Sequence, residues 1–352
     1  MTAAPLSWSW DEMLAEFRAL GGTADNVERR AGPFGLGLFP IDPGRPILLN
    51  APASMLVPKR HVRQVGDDLV VAEDSGLDAR VRDFFTHYQR AFSWGVAASE
   101  KANDFAPQLS ALPDEIQRAF ARIGIPIDAH AGQLPTPFKR FTKSRCIFHH
   151  NDVKFMPMIE LLNHSPHYPT YDTRDGVRVA GTFPEEVLVD YGPADSLSRF
   201  FSHQFISDEA RAFSLPISLP IANGKTLVVG RAIHERQMDN ASALLPVSRE
   251  EGDRVVLSHL LLGNERMPRM PRTIFRHLLP ALGPEQADEL FQLIVRANVL
   301  LLLSLLEVLE VHDSPMVRQL RAVVRLQLKG IAQSFGVRDT RVLYSPAPAP
   351  ER

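Results

Sequence analysis

The stretch from Phe155 to Pro166, Phe-Met-Pro-Met-Ile-Glu-Leu-Leu-Asn-His-Ser-Pro, constrains the fold of this chain more than any other. An apolar run from Phe155 to Leu162 stops at Asn163, a residue that tolerates the left-handed conformation of a helix end. Pro166 prevents continuation. One or two helical turns capped by Asn163 are therefore expected, with His164 on a backbone corner. Further on, Val187-Leu188-Val189-Asp190-Tyr191-Gly192 reads as a short apolar strand that leaves Tyr191 at its end, with Gly192 permitting a sharp turn. Each piece alone is ordinary, a capped helix and a strand terminus.

The rest of the chain is organised around these two segments. Trp8, Met13, Leu14, Phe17 and Leu20 repeat at helical intervals and end at Gly21-Gly22. Residues 26–30 and 35–39 read as two strands around a glycine-rich turn, and 47–55 as a further strand and loop. From Asp78 to Gly124 the apolar positions follow a helical period, so a helical insertion over about 66–135 is expected, closed by an extended Leu134-Pro135-Thr136-Pro137 hinge. Short strands follow from Phe213 to Ile233 around Asn223-Gly224, a strong hairpin signal. Residues 234–335 read as helical, with Gly283-Pro284 and Ser314-Pro315 opening two of the helices. The Pro/Ala tail, 341–352, reads as disordered.

A length of 352 residues implies two domains, or one with a large insertion. The net charge of −2 provides no basic field for nucleic acid. No charged-then-apolar leader opens the chain. The longest apolar run, Val299 to Leu306, falls well short of the ~18 residues of a spanning helix, so a buried helix and no membrane association are expected. A single cysteine, Cys146, excludes an intramolecular disulfide and a multi-thiolate zinc cluster, which fits a reducing, cytoplasmic setting.

Four short motifs in order resemble the SET domain of protein lysine methyltransferases, in the branch that includes the Rubisco large-subunit lysine methyltransferase. Asn163-His164-Ser165, preceded by Met156-Pro157-Met158-Ile159-Glu160-Leu161-Leu162, is similar to the Asn-His-Ser box. Tyr191, 28 residues after Asn163, is similar to the terminal tyrosine. Ser144-Arg145-Cys146-Ile147-Phe148 resembles the segment upstream of that box, and Gly32-Pro33-Phe34-Gly35-Leu36-Gly37-Leu38-Phe39 the strand that opens the domain.

The resemblance implies an α+β fold. A SET domain of small sheets over 1–224 would carry the helical insertion, and a mostly α-helical C-terminal domain over 225–340 would resemble the Rubisco enzyme's substrate-binding domain. It implies S-adenosylmethionine as cofactor, held by the backbone of Phe34, Gly35 and Leu36, by Asn163 and His164 at the adenine edge, by Phe205 stacking and by Arg145 at the carboxylate side. Tyr191 would orient the nitrogen that receives the methyl group. Two departures stand out: Phe34 occupies a position that is often acidic in relatives, and His203-Gln204-Phe205 stands where relatives carry Tyr-Gly-Phe. Tyr191 and His203 are thus the expected catalytic pair, with a histidine whose charge changes near neutrality in place of a phenol. The implied acceptor is a protein lysine, or a small amine given the altered residue at 203; the oligomeric state stays open.

Two readings of other classes stay open beside this one. His150-x-Asp152, with His203 53 residues later and Arg211 beyond, has the rough spacing of a two-histidine, one-carboxylate iron site with an arginine for 2-oxoglutarate. Alternatively, the fold persists as a binding protein with little catalysis.

Overall fold

Ser9 starts the first helix, Trp10–Ala19, through a capping box in which its hydroxyl accepts from Glu12 N at 3.2 Å while Glu12 Oε2 accepts from Ser9 N at 2.8 Å. The helix buries Met13, Leu14 and Phe17. In the computed structural model the described residues are 8–97, 101–125, 127, 137–221, 224–231 and 245–333. The expected hinge at 134–137, all but its last residue, and the 341–352 tail lie outside them, as does Asn223 of the expected turn. The chain packs as two units, Met1–Phe105 with Pro135–Tyr191, and Ala106–Leu134 with Gly192–Arg352.

The first unit is built from small sheets. Ile47–Pro52 lies between Thr23–Asp25 and Gly176–Gly181, antiparallel to both. Val27–Gly32 and Gly35–Pro40 form the glycine hairpin expected from the sequence, with Gly32 paired to Gly35 across the turn. Val57–Pro58, Asp152–Phe155 and Cys146–His149 make a third sheet. Val62–Val65 and Asp68–Val71 pair as a hairpin, so the expected insertion begins as strand and turns helical only at Ala79–Phe92, capped by Asp78. Phe17, Leu49, Phe84, Tyr88, Ile159 and Val177 meet in one core.

The second unit joins Asp114–Arg122 to the C-terminal region. The helices read as one insertion are therefore divided between the two units, and the first unit ends at Tyr191 rather than near residue 224. The C-terminal region is richer in strand than the sequence reading. Ile217–Pro220, Thr226–Val229, Arg254–Leu257 and Ser248–Glu251 form a four-stranded sheet in that order, and Leu261–Asn264 pairs with Arg211–Phe213. Residues 234–335 are thus not helical throughout. The β-branched pair Val255-Val256 beside the Gly252 turn, at φ 62°, favours a hairpin there. Helices follow at Met270–Leu278, Pro284–Glu310 and Pro315–Gln333. The 27-residue Pro284–Glu310 helix is long and apolar enough to cross a membrane by length and composition. It buries a stripe, Phe291, Ile294, Val295, Asn298, Leu302 and Leu305, spaced for one helical face within the unit's core. The architecture is α+β, small sheets with a helical insertion and a helical C-terminal region.

Candidate active site

Phe155–Leu162 does not form the expected capped helix. Phe155 ends a strand, Met158 takes φ 70° and ψ −46°, and a single 3-10 turn, Ile159–Leu161, follows. A positive φ at a buried methionine is strained by about 1–3 kcal/mol and persists because both sides of the turn are packed. Asn163 is not a left-handed cap either. Asn163–His164 is extended and pairs in parallel with Leu188–Val189, Asn163 opposite Leu188 and His164 opposite Val189. Extended backbone after Leu162 gives both residues a strand partner, which a helix end would deny them.

That pairing brings His164 and Tyr191 together. Their ring centroids lie 4.9 Å apart. His164 Nδ1 sits 3.2 Å from both Val189 O and Tyr191 N; one tautomer donates to the carbonyl, the other accepts the amide proton. The Tyr191 hydroxyl donates to the Leu162 carbonyl, and the Tyr171 ring stacks on its ring at 6.5 Å. The phenol is fixed at its oxygen and through its ring.

Asn163 ties this corner to the glycine hairpin. Its Nδ2 donates to Glu186 Oε1 at 2.6 Å and reaches Leu36 O at 3.3 Å, while Val187 N donates to Leu38 O at 2.8 Å. Gly37 lets the two side chains lie close to the hairpin: a Cβ there would lie 2.1 Å from Glu186 Oε1 and 2.8 Å from Asn163 Nδ2, so both side-chain ends would have to move. Gly35 turns the hairpin at φ 98°, and Phe34 and Leu36 expose their side chains at its end. Leu36, Asn163, His164 and Tyr191 are thus linked through one set of contacts in the first unit, with Phe34 and Gly35 at the tip of the same hairpin.

Arg145, at the end of the Pro137–Arg145 helix, donates from Nη1 to the Glu160 carbonyl and lies over the Phe141 ring. It braces the back of the 159–161 turn. Glu160, 3% exposed, accepts from Gln89 Nε2 at 2.7 Å; burial raises its carboxyl above the usual range, opposed by Ser93, Arg145 and Gln89. Glu186, absent from the sequence reading, is also buried. Its desolvation raises the carboxyl, while the Asn163 bond and the charge of Arg30 pull it back. Nothing in the sequence around Glu186 marks it, since an acid just before the Leu188–Val189 strand reads as solvated.

His203 and Phe205 belong to the second unit. His203 ends the Ser196–His203 helix, its Nδ1 2.6 Å from Ser202 Oγ, with Phe205 edge-on at 6.0 Å. Gln204 adopts φ 65°, the left-handed cap conformation a glycine would take without strain. His150 and Asn151, at φ 47° and 63°, turn the hairpin between Cys146–His149 and Asp152–Phe155, and the Asp152 carboxylate is engaged by Arg60. An ion-paired carboxylate on a tight turn is poorly placed to serve as the iron ligand the His150-x-Asp152 spacing allowed. A cavity of about 210 Å³ borders the Leu188–Val189 strand, lined among others by Pro169, Thr170, Arg178 and Phe183; Asn163, His164 and Tyr191 are not in its lining.

No family model matches this chain. It is similar to an uncharacterized protein of Aquifex aeolicus (strain VF5), 34% identical over 118 residues that make up 33% of this chain and 96% of the Aquifex protein. The chain belongs to the family of that Aquifex protein, whose name carries no activity.

Proposed function

We propose that the protein is an S-adenosylmethionine-dependent N-methyltransferase of the SET class that methylates a lysine side chain of a protein. The observation that carries this reading is the parallel pairing of Asn163–His164 with Leu188–Val189, which sets the Tyr191 phenol beside His164 with its hydroxyl on the Leu162 carbonyl. Two features of the hairpin end suit the cofactor. Phe34 and Leu36 offer an exposed apolar edge, and in the same hairpin Gly32 and Gly37 lie against the Glu186 carboxylate, with Oε2 a buried acceptor that has no donor among the described residues. An apolar edge and an unmet acceptor fit a ligand that is part nucleoside and part amino acid.

Bound there, S-adenosylmethionine would supply a methyl group already activated on a sulfonium, so the protein need provide only alignment and the right protonation state. With its proton given to Leu162 O, the Tyr191 oxygen would act toward the amine as an acceptor of an N–H, which aims the nitrogen's own lone pair. An ordinary lysine, with a pKa of about 10.4, is neutral in about one part in a thousand near pH 7.5, a handicap of about 4 kcal/mol that an apolar approach channel reduces by desolvating the ammonium. Asn163, His164 and the backbone of 34–36 would hold the cofactor, with Arg145 keeping the 159–161 turn in place.

A second acceptor class, a small amine, is favoured by His203 where relatives carry tyrosine. One experiment separates the outcomes: cell extract and its small-molecule fraction are incubated with protein and isotopically labelled cofactor, then read by mass spectrometry. Label on protein lysines is expected. Label confined to small molecules points to an amine acceptor, cofactor binding without label to a binding scaffold, and neither binding nor label overturns the reading.

A further inference from the structure

A cavity of about 420 Å³ lies in the second unit beside the Met270–Leu278 helix. Its lining combines two chemistries. Leu262, Pro271 and Phe291 are buried residues that give it an apolar, partly aromatic side. Arg269, Arg272 and Arg276 line it as well. Arg269 keeps helical backbone angles, φ −82° and ψ −19°, so the spacing of three and then four residues sets all three arginines on one helix face.

Among the described residues, one carboxylate pairs with these three cations. Asp288 accepts from Arg276 Nε at 2.8 Å and from Nη2 at 2.5 Å, and stands 3.9 Å from Arg272 Nη1, beyond hydrogen-bond reach. The Arg269 side chain has no hydrogen bond or ion pair among the described residues. Two positive charges are left over. The helix start adds to the excess, because a helix N-terminus carries about half a positive charge that an acidic residue or a capping side chain usually offsets. Here the first turn has no acidic residue and no side chain caps it; Arg269 holds the cap position and Arg272 lies in that turn.

We propose that this cavity binds a small phosphate monoester whose ester group is apolar or aromatic. A phosphate monoester carries a charge of about −1.5 to −2 near neutral pH and three acceptor oxygens, the complement of two guanidiniums without a carboxylate of their own. A lone carboxylate would answer one of them and leave the other. Leu262, Pro271 and Phe291 take the rest of the ligand, and a volume of about 420 Å³ is that of a small-molecule pocket. Every residue invoked belongs to the second unit, so the site is independent of the methyltransferase reading.

The test is calorimetric titration of the full chain with phenyl phosphate, inorganic phosphate and phenylacetate, repeated on the double variant Arg269→Gln, Arg272→Gln, which spares the Arg276–Asp288 pair. Expected is saturable binding of phenyl phosphate, about 10-fold or more tighter than that of either other probe, and weakened about 10-fold or more in the variant. No saturable binding of phenyl phosphate by the unaltered chain overturns the site, as does the same affinity in chain and variant. Inorganic phosphate bound as tightly as phenyl phosphate overturns the apolar part of the site, and phenylacetate bound as tightly overturns the assignment to a dianion. Should the double variant not fold, Arg269→Gln alone is expected to weaken phenyl phosphate by about 3-fold or more, and an unchanged affinity there overturns the site.

Discussion

Two buried carboxylates, one in each unit, are built in opposite ways. Asp195 is fully buried and accepts from Ser198 N at 2.8 Å, Phe213 N at 3.3 Å, Gln327 Nε2 at 2.9 Å and Arg231 Nη2 at 2.7 and 2.9 Å. It caps the Ser196–His203 helix and ties a strand and the last helix to it. Glu186 accepts one amide and, among the described residues, leaves an oxygen unmet. The first carboxylate is complete without a ligand, and its role is to hold the unit together. The second is met at one oxygen only, among the described residues.

The largest effect that would break this contrast is on stability. Asp195→Ala leaves the part-buried Arg231 without its carboxylate and removes a helix cap and the acceptor for Phe213 N and Gln327, and should cost about 3–5 kcal/mol in denaturant unfolding, whereas Glu186→Gln should cost less than about 1 kcal/mol. Similar losses would put both residues in one structural class. Next comes Tyr191→Phe, which removes the hydroxyl bound to Leu162 O and should lower turnover about 100-fold with cofactor affinity retained, read by single-turnover transfer of labelled methyl.

The third prediction concerns pH. Burial holds the Glu186 carboxyl above its ordinary 4.5, so the native state favours the neutral form. The associated stability is fully present below the unfolded value, about 4.5, and declines as pH rises through the higher native value. The stability of Glu186→Gln relative to the unaltered chain should therefore improve between pH 4 and 7; a flat difference across that range would place the carboxylate in a solvated setting. Smallest is Gln204→Gly, expected to stabilise by about 1 kcal/mol by relieving the left-handed backbone at φ 65°, as measured by thermal melting.

Sequence patterns carried part of this. The glycine turn, the Trp10–Ala19 helix and the start of Ala79–Phe92 follow from periodicity and capping residues, signals local to the segments that obey them. The box around Asn163 and the tyrosine 28 residues on were legible as motifs, and their closeness is a consequence of strand pairing between segments distant in sequence. The 3-10 turn was not legible, because nothing near Met158 marks its positive φ, which tertiary packing imposes. Glu186 was passed over for a related reason. An acid at a strand's start reads as solvated, and its burial depends on Gly32 and Gly37 about 150 residues earlier. The strands at 248–264 lay within reach of the sequence through the Gly252 turn and the β-branched residues beside it, but the long apolar helix that follows drew the whole region toward a helical reading.

The most direct test of the proposed activity is calorimetric titration of the full chain with S-adenosylmethionine, repeated on Asn163→Ala. Saturable binding at a single site, weakened about 10-fold or more in Asn163→Ala, is the expected result. Absence of binding by the unaltered chain, or the same affinity in both proteins, would contradict a cofactor site built on the Asn163 corner.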